Sequence, residues 1–338
     1  MNFKSILFGM ALAVSPVFGF ADSNIKMVVG TYTDAGSQGL YSFSFDQSTG
    51  KASGITSLKV DNPSYFTFSK DGRNIYAVSE KNNATAVLNS IGYDPVNGTF
   101  AFKNSQLTHG GDPCYVSTDG KIALTANYSG GTISVFPILK NGTLDKSLLQ
   151  LGSVKGGPNR SRQNTPHAHC AIFAPDGYIL TTDFSGDRIL CFFYNKRDKK
   201  LEDHDIAAHV KPGSGPRHLV FSPNGRYAYL MNELSGKVIV YSYSDGKLKE
   251  LQSIAADNAN ARGGADIHVS PDGMFVYAST RLKGDGITIF RVGNKGTLTR
   301  VGAQLTGKHP RNFAITPNGN FLLVACRDDN SIQVYSRD

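Results

Sequence analysis

Tryptophan is missing from this chain of 338 residues, and cysteine occurs only four times. Cys114, Cys170, Cys191 and Cys326 show no CxxC or His-x-Cys spacing, so no cysteine-based metal centre is expected. Their even number would permit disulfides in an exported protein, and Cys170 and Cys191 fall where one bridge is conceivable. Free, buried thiols acting as small apolar groups are the leading expectation. The chain also lacks any apolar run of about 20 residues, the length needed to span a bilayer as a helix. Linkers, low-complexity tracts and long helical periods are absent too, which leaves nothing to mark a second domain. Charge of one sign is not concentrated anywhere. The formal net charge is +8, but the basic residues are scattered rather than set in a stripe. Nucleic-acid binding therefore has little support, and a mild preference for small anionic molecules is the economical inference.

Glycine, by contrast, is abundant at 36 residues, and every aromatic residue is Phe or Tyr. Apolar residues make up 40% and charged ones 18%, a balance that supports a large core and argues against disorder. Many short strands joined by tight turns suit this mixture. The N-terminus reads separately. Lys4 precedes an apolar run from Ile6 to Val14, and the small residues Gly19 and Ala21 follow. This predicts a cleaved signal peptide over residues 1–21, a single mature domain over 22–338, and a periplasmic or secreted location without membrane insertion. No cysteine stands near the cut to carry a lipid anchor. An uncleaved apolar arm packed on the domain is the alternative.

The most informative feature is a repeat of strand, Asp/Asn-Gly turn, strand. Pro63–Ser69 leads into Asp71-Gly72 and then Asn74–Glu80. The same grammar returns at Asp119-Gly120, Asp176-Gly177, Asn224-Gly225, Asp272-Gly273 and Asn318-Gly319. Successive turns lie about 48, 57, 48, 48 and 46 residues apart, the interval of a propeller blade. Asn-Gly and Asp-Gly tolerate the positive φ of a two-residue hairpin turn. Each copy then carries a third strand, such as 132–136, 188–193, 238–243, 287–291 and 332–336, and a less regular outer strand follows. A four-stranded meander with two apolar faces cannot bury both alone, so such blades must stack around an axis. Six full copies are visible, and Met27–Tyr32 with Leu40–Phe45 supplies the second and third strands of a seventh. The expected architecture is an all-β, seven-bladed β-propeller of four-stranded antiparallel blades. Strands from both chain ends would close it, by exchange between the two incomplete terminal blades.

Gly30-Thr-Tyr-Thr33, Asn62-Pro-Ser-Tyr65, Pro166-His-Ala-His169, Gly215-Pro-Arg-His218, Asn232-Glu-Leu234 and Pro310-Arg311 resemble the lactonase family of seven-bladed propellers. That family includes propeller-type 6-phosphogluconolactonases and carboxy-cis,cis-muconate cyclase. The resemblance covers the chain from Met27 onward and implies a cluster of His169, Arg217, Glu233 and Arg281 at the channel mouth. Opening a lactone needs a proton acceptor for water, stabilisation of the developing oxyanion and capture of any anionic substituent. Either Glu233 or His169 would be the base, while Arg217 and Arg281 would clamp an anion or polarise the carbonyl. An Arg217–Glu233 bridge of purely structural value, a hydrogen-bonded core His169 and a solvated Arg281 are the competing readings. His167, Asp183, His218 and Arg311 are weaker, substrate-binding candidates. Asp183 and Asp187 would otherwise shape a turn, and Arg311 occupies the repeat position of Arg217. Arg327 stands where the family more often has a neutral amide, leaving the contacts of that blade open.

The resemblance implies hydrolysis of a sugar lactone of the 6-phosphogluconolactone type by a monomer with no cofactor. A muconate-type lactonising cycloisomerase and a non-catalytic exported binding propeller are the alternatives. Export sits uneasily with a phosphorylated cytosolic intermediate, so an unphosphorylated lactone stays open. A calcium-dependent lactonase would need converging oxygen ligands. Candidates that are mostly His and Arg predict no essential metal.

Overall fold

The computed structural model describes residues 8–15, 22–256, 259–260 and 262–337. It contains seven antiparallel sheets, six of four strands and one of three. The first blade is β1 (Phe8–Val14), β2 (Asn24–Tyr32), β3 (Gly39–Asp46) and β4 (Lys51–Lys59). The second is β5 (Phe66–Phe68), β6 (Asn74–Ser79), β7 (Val87–Asp94) and β8 (Thr99–Leu107). The third runs through β9 (Pro113–Thr118), β10 (Ile122–Asn127), β11 (Thr132–Pro137) and β12 (Leu148–Leu151). In the fourth stand β13 (Ala168–Phe173), β14 (Ile179–Asp183), β15 (Arg188–Asn195) and β16 (Lys200–His209). The fifth has β17 (Pro216–Phe221), β18 (Tyr227–Asn232), β19 (Lys237–Ser244) and β20 (Lys247–Ala255). The sixth has β21 (Gly264–Val269), β22 (Phe275–Thr280), β23 (Gly286–Val292) and β24 (Leu298–Leu305). The last is β25 (Pro310–Ile315), β26 (Phe321–Cys326) and β27 (Ser331–Ser336).

Burial is greatest in the second strands and least in the outermost ones. The second strands are buried on both faces, as in β10, where every residue is buried, whereas outer strands such as β8 are largely exposed. That gradient explains why Ile75-Tyr-Ala-Val reads as a continuous apolar run and Thr99–Leu107 as a mixed one. The core lies between blades: Cys170, Ile172 and Leu180 of the fourth pack with Leu219, Leu230, Ile239 and Tyr241 of the fifth. All four cysteines are free and buried, with Cys170, Cys191 and Cys326 within this kind of packing.

The Asp/Asn-Gly turns form where expected but by a different geometry. Glycines 72, 120, 177, 225, 273 and 319 adopt positive φ, whereas the preceding Asp or Asn does not. Instead its side chain accepts the backbone N–H two residues on, as in Arg73 N to Asp71 Oδ1 at 3.1 Å and Met274 N to Asp272 Oδ1 at 2.8 Å. In five of the six, the glycine N–H also closes on the carbonyl three residues back, as in Gly225 N to Ser222 O at 2.8 Å. The loops are thus four-residue turns locked by an Asx interaction, not two-residue turns with both residues left-handed.

Ring closure also differs from strand exchange. Among the described residues, each sheet is built from consecutive strands, and the three-stranded last blade receives none from the other chain end. The ends meet side by side. β1 pairs with β2 as the innermost strand of the first blade, and Leu12 N donates to Asn312 Oδ1 of β25 at 2.7 Å. Leu12 shares a cluster with Ile25, Met27, Ala314 and Leu323. The segment expected in the leader is therefore a packed strand at Phe8–Val14, while the expected cut near Ala21 lies outside the described residues. Among the described residues, no helix is long and apolar enough to cross a membrane.

Candidate active site

Two sets of side chains ring one end of the channel. The first set comes from the inner strands. Register shifts interrupt the pairing at residues 168/170 of β13, 216/218 of β17 and 310/312 of β25, and each leaves one residue unpaired: His169, Arg217 or Arg311. Cys114 is skipped in the same way on β9. A bulge bends its strand and re-aims the extra side chain, so one local device delivers all four groups to the mouth. Gly215, at φ +63°, admits the chain to β17; a Cβ there would lie 2.7 Å from Leu234 and 3.0 Å from Phe184. The second set is the residue leaving the second strand of blades two to seven: Glu80, Tyr128, Phe184, Glu233, Arg281 and Arg327.

Glu233 and its neighbours form the electrostatic centre. Arg217 Nε and Arg281 Nη2 each lie 3.1 Å from Glu233 Oε2, and Arg162 Nη2 lies 2.6 Å from Oε1. Burial alone would raise the carboxyl pKa, but the guanidiniums of Arg281, Arg217 and Arg162 hold it far below the usual carboxylate range. Glu233 is thus a fixed anion with both oxygens occupied. Arg217 also donates from Nη1 to Ala265 O at 2.6 Å, and Arg281 donates to the carbonyls of Gly263 and Gly264 at 3.0 and 2.9 Å. Burial lowers the pKa of both guanidiniums, that of Arg281 to about 9, against the opposing charge of Glu233, and both remain charged at neutral pH.

His169 is buried in the same mouth. Its ring lies 5.7 Å from that of Tyr128 and 5.2 Å from that of His218, and Nδ1 faces Cys114 Sγ at 3.7 Å. Among the described residues no group hydrogen-bonds Nε2. Burial, then the charge of Arg217, depresses its pKa well below the ordinary histidine value, so the ring is neutral at physiological pH. Tyr128 joins it to Glu233, because Arg162 Nη2 bonds both Tyr128 Oη (3.1 Å) and Glu233. The imidazole of His169 and the carboxylate of Glu233 therefore share one face of the ring.

Arg311 enters from the seventh blade. Its guanidinium sits 5.9 Å from the ring of Tyr32 and 4.0 Å from Glu80 Oε2, with no tighter polar partner among the described residues. Glu80 is taken by Tyr32 Oη at 2.7 Å and by Ser64 Oγ. Glu80 and Tyr32 thus hold Arg311 in place and leave its fork of donors facing the channel.

The remaining candidates divide. His167 lies at the rim, stacked on Tyr128 at 4.1 Å with Nδ1 against Tyr128 O at 2.9 Å. His218 lies one layer deeper: Nδ1 meets Asp266 Oδ1 at 2.8 Å and Nε2 meets Arg217 Nη1 at 3.1 Å. Burial and Arg217 lower its pKa to about 4, so a neutral ring accepts from Arg217 and donates to Asp266. It positions Arg217 from below. Asp183 is fully buried and bonded to Arg188 Nε at 2.8 Å, Gly186 N at 2.8 Å and Ser153 Oγ. With Asp187, which gathers Gly213, Ser214 and Gly215 N–H groups, it shapes loops and offers no free oxygen to a ligand. Arg327 pairs with Asp328 at 2.6 Å on the exposed rim.

Sequence reasoning missed Arg162, Tyr128, Asp266, Glu80 and Tyr32. Tyr128 and Glu80 had a readable signal: both stand eight residues after their turn glycine, as do Glu233 and Arg281. Among the described residues no group of His, Cys, Asp and Glu could hold a metal ion.

A lactonase, seven-bladed β-propeller family profile matches residues 26–338. A 6-phosphogluconolactonase of Bacillus subtilis is 34% identical over 323 residues, 92% of this chain and 90% of that protein. The crystal structure of a putative 6-phosphogluconolactonase from Bacteroides uniformis superposes with TM-score 0.91 at 53% identity, covering 94% of this chain and 93% of the other. A periplasmic gluconolactonase of Pseudomonas aeruginosa superposes with TM-score 0.88 at 31% identity, covering 94% and 93%.

Proposed function

Because the chain belongs to the seven-bladed β-propeller lactonase family, we propose that it hydrolyses a sugar lactone of the 6-phosphogluconolactone type to the open sugar acid. The observation that carries the mechanism is a neutral His169 with an open Nε2, set in a mouth whose guanidiniums are already charged and fixed. Water held by His169 attacks the ring carbonyl as its proton passes to Nε2. Arg217 and the unclaimed fork of Arg311 stabilise the resulting oxyanion, whose charge they meet without reorganising. Collapse breaks the ring C–O bond, and the imidazolium returns the proton to the departing alkoxide. Glu233 is the counter-ion that aligns Arg217 and Arg281, so of the two candidate bases the geometry favours His169. Arg281, seated on the same carboxylate, completes the cationic wall.

The test compares hydrolysis of δ-gluconolactone and of its 6-phosphate with the spontaneous rate. Acceleration of either, by several orders of magnitude at micromolar enzyme, is the expected result. No acceleration of either, together with tight binding to a macromolecule, would favour a scaffold instead.

Export belongs to the same proposal. It draws on the composition of residues 1–21, on a family match that begins at residue 26, and on the likeness to a periplasmic gluconolactonase. Mass measurement of the protein purified from its own host should give a chain beginning close to residue 22. An intact N-terminus would place β1 permanently in the ring and remove the case for export.

A further inference from the structure

Three guanidiniums converge on Glu233, but they are not equivalent. Arg217 and Arg281 sit on the propeller frame, are bonded to backbone carbonyls, and expose 2% and 7% of their side chains. Arg162 comes from the connection between β12 and β13, and 41% of its side chain is exposed. Its two hydrogen bonds, to Tyr128 Oη and Glu233 Oε1, both run through Nη2. The donors on Nε and Nη1 have no partner among the described residues. The backbone beneath it is fixed: Gln163, fully buried, bonds Phe184 O at 3.0 Å and Asp187 Oδ2 at 2.8 Å. The Phe184 ring, 5.4 Å from the guanidinium carbon, supplies a face against which the group can turn. A rigid base, a long side chain and two unclaimed donors at the rim make Arg162 the cation of this cluster that is free to take a new partner.

We propose that Arg162 is a specificity-determining residue that exchanges Glu233 Oε1 for a phosphate or comparable dianion carried by the substrate away from its lactone ring. This rests on the lactonase reading of the same site. The exchange needs no backbone motion. Glu233 retains Arg217 and Arg281, so releasing one oxygen does not strand its charge, and the fork of Arg162 matches two phosphate oxygens. An uncharged sugar lactone offers nothing to compete with Glu233 and leaves Arg162 where it is. The residue thus reads the tail of the substrate while His169 and Arg311 act on the ring.

Arg162→Met and Arg162→Lys separate this role from a structural one, with circular dichroism confirming the fold. Calorimetry with 6-phosphogluconate and with gluconate, the two open acids, gives the binding arm. Turnover of δ-gluconolactone and of its 6-phosphate gives the kinetic arm. Arg162→Met should reduce the preference for the phosphorylated member of each pair by tenfold or more, and Arg162→Lys should restore part of it. Equal losses on both members, no loss on either, or failure of the wild type to bind 6-phosphogluconate would overturn the proposal. Wild-type enzyme that hydrolyses neither lactone yet shows the calorimetric discrimination would remove the lactonase reading and leave the anion role of Arg162 standing.

Discussion

His169→Gln lowers kcat for lactone opening by about 10²–10⁴-fold, the range expected when a positioned general base is lost. KM should change little, because Arg217, Arg281 and Arg311 still bind the substrate. The amide fits the same bulge on β13 and keeps a polar group beside Cys114, so an unchanged melting temperature accompanies the loss of rate. Steady-state kinetics on the better of the two lactones decides the matter; a variant within threefold of wild type would remove His169 from the chemistry. The wild-type pH profile is a companion reading. Burial and the charge of Arg217 hold the His169 pKa well below its ordinary value, so the base form persists into mildly acid solution. After correction for spontaneous hydrolysis, the rate should stay level through pH 6.5, where an ordinary histidine would lose half its activity.

Glu233→Gln acts through a different link. The wild-type carboxylate is the shared counter-ion of three guanidiniums, two of them buried, and offsets part of their charge. Removing one partner of a buried ionic cluster while leaving the others costs about 3–5 kcal/mol, because the remaining charges lose compensation and repel one another. A fall of several degrees in melting temperature is expected, along with a large rise in KM as Arg217 and Arg281 lose their alignment. The pH dependence has a definite sign. A carboxyl whose folded pKa is depressed stabilises the fold above its unfolded pKa, near 4.3, and that contribution fades as pH falls through the folded value. The stability gap between wild type and variant should therefore be full at pH 7 and shrink below about pH 4. A variant as stable as wild type but lacking the acid limb of the rate profile would return Glu233 to the role of base.

Much of this could be read from the chain because the propeller is written in repeats. The turn pairs gave blade number and spacing, and the Pro-Arg and His-Ala-His strings marked where inner strands begin. Arg217 and Arg311 were recognisable as equivalents because each follows the proline that opens its inner strand, and both turn out to be the bulge residue. The bulges themselves were not legible: they depend on how an inner strand meets its neighbour, and no residue type announces them. Arg162 escaped for another reason. It lies in a long connection outside the repeat, and its partner Glu233 is 71 residues away. Asp183 shows the opposite error, an acidic side chain near the right strands whose oxygens are consumed by its own loop. The turns were placed correctly with the wrong backbone, because an Asx interaction and a two-residue hairpin favour the same dipeptide.

If residues 1–21 are the export leader proposed above, folding and secretion compete at the seam of the ring for the same seven residues, Phe8–Val14. On that proposal, a precursor that closes early would hide the leader in the first blade, against the last one, out of reach of any machinery that must read it. A precursor kept unfolded and cut as proposed would instead close with the inner edge of β2 bare from Met27 to Tyr32, a row of backbone donors and acceptors without a strand. Order of events, rather than composition alone, then decides in which compartment a complete ring can exist.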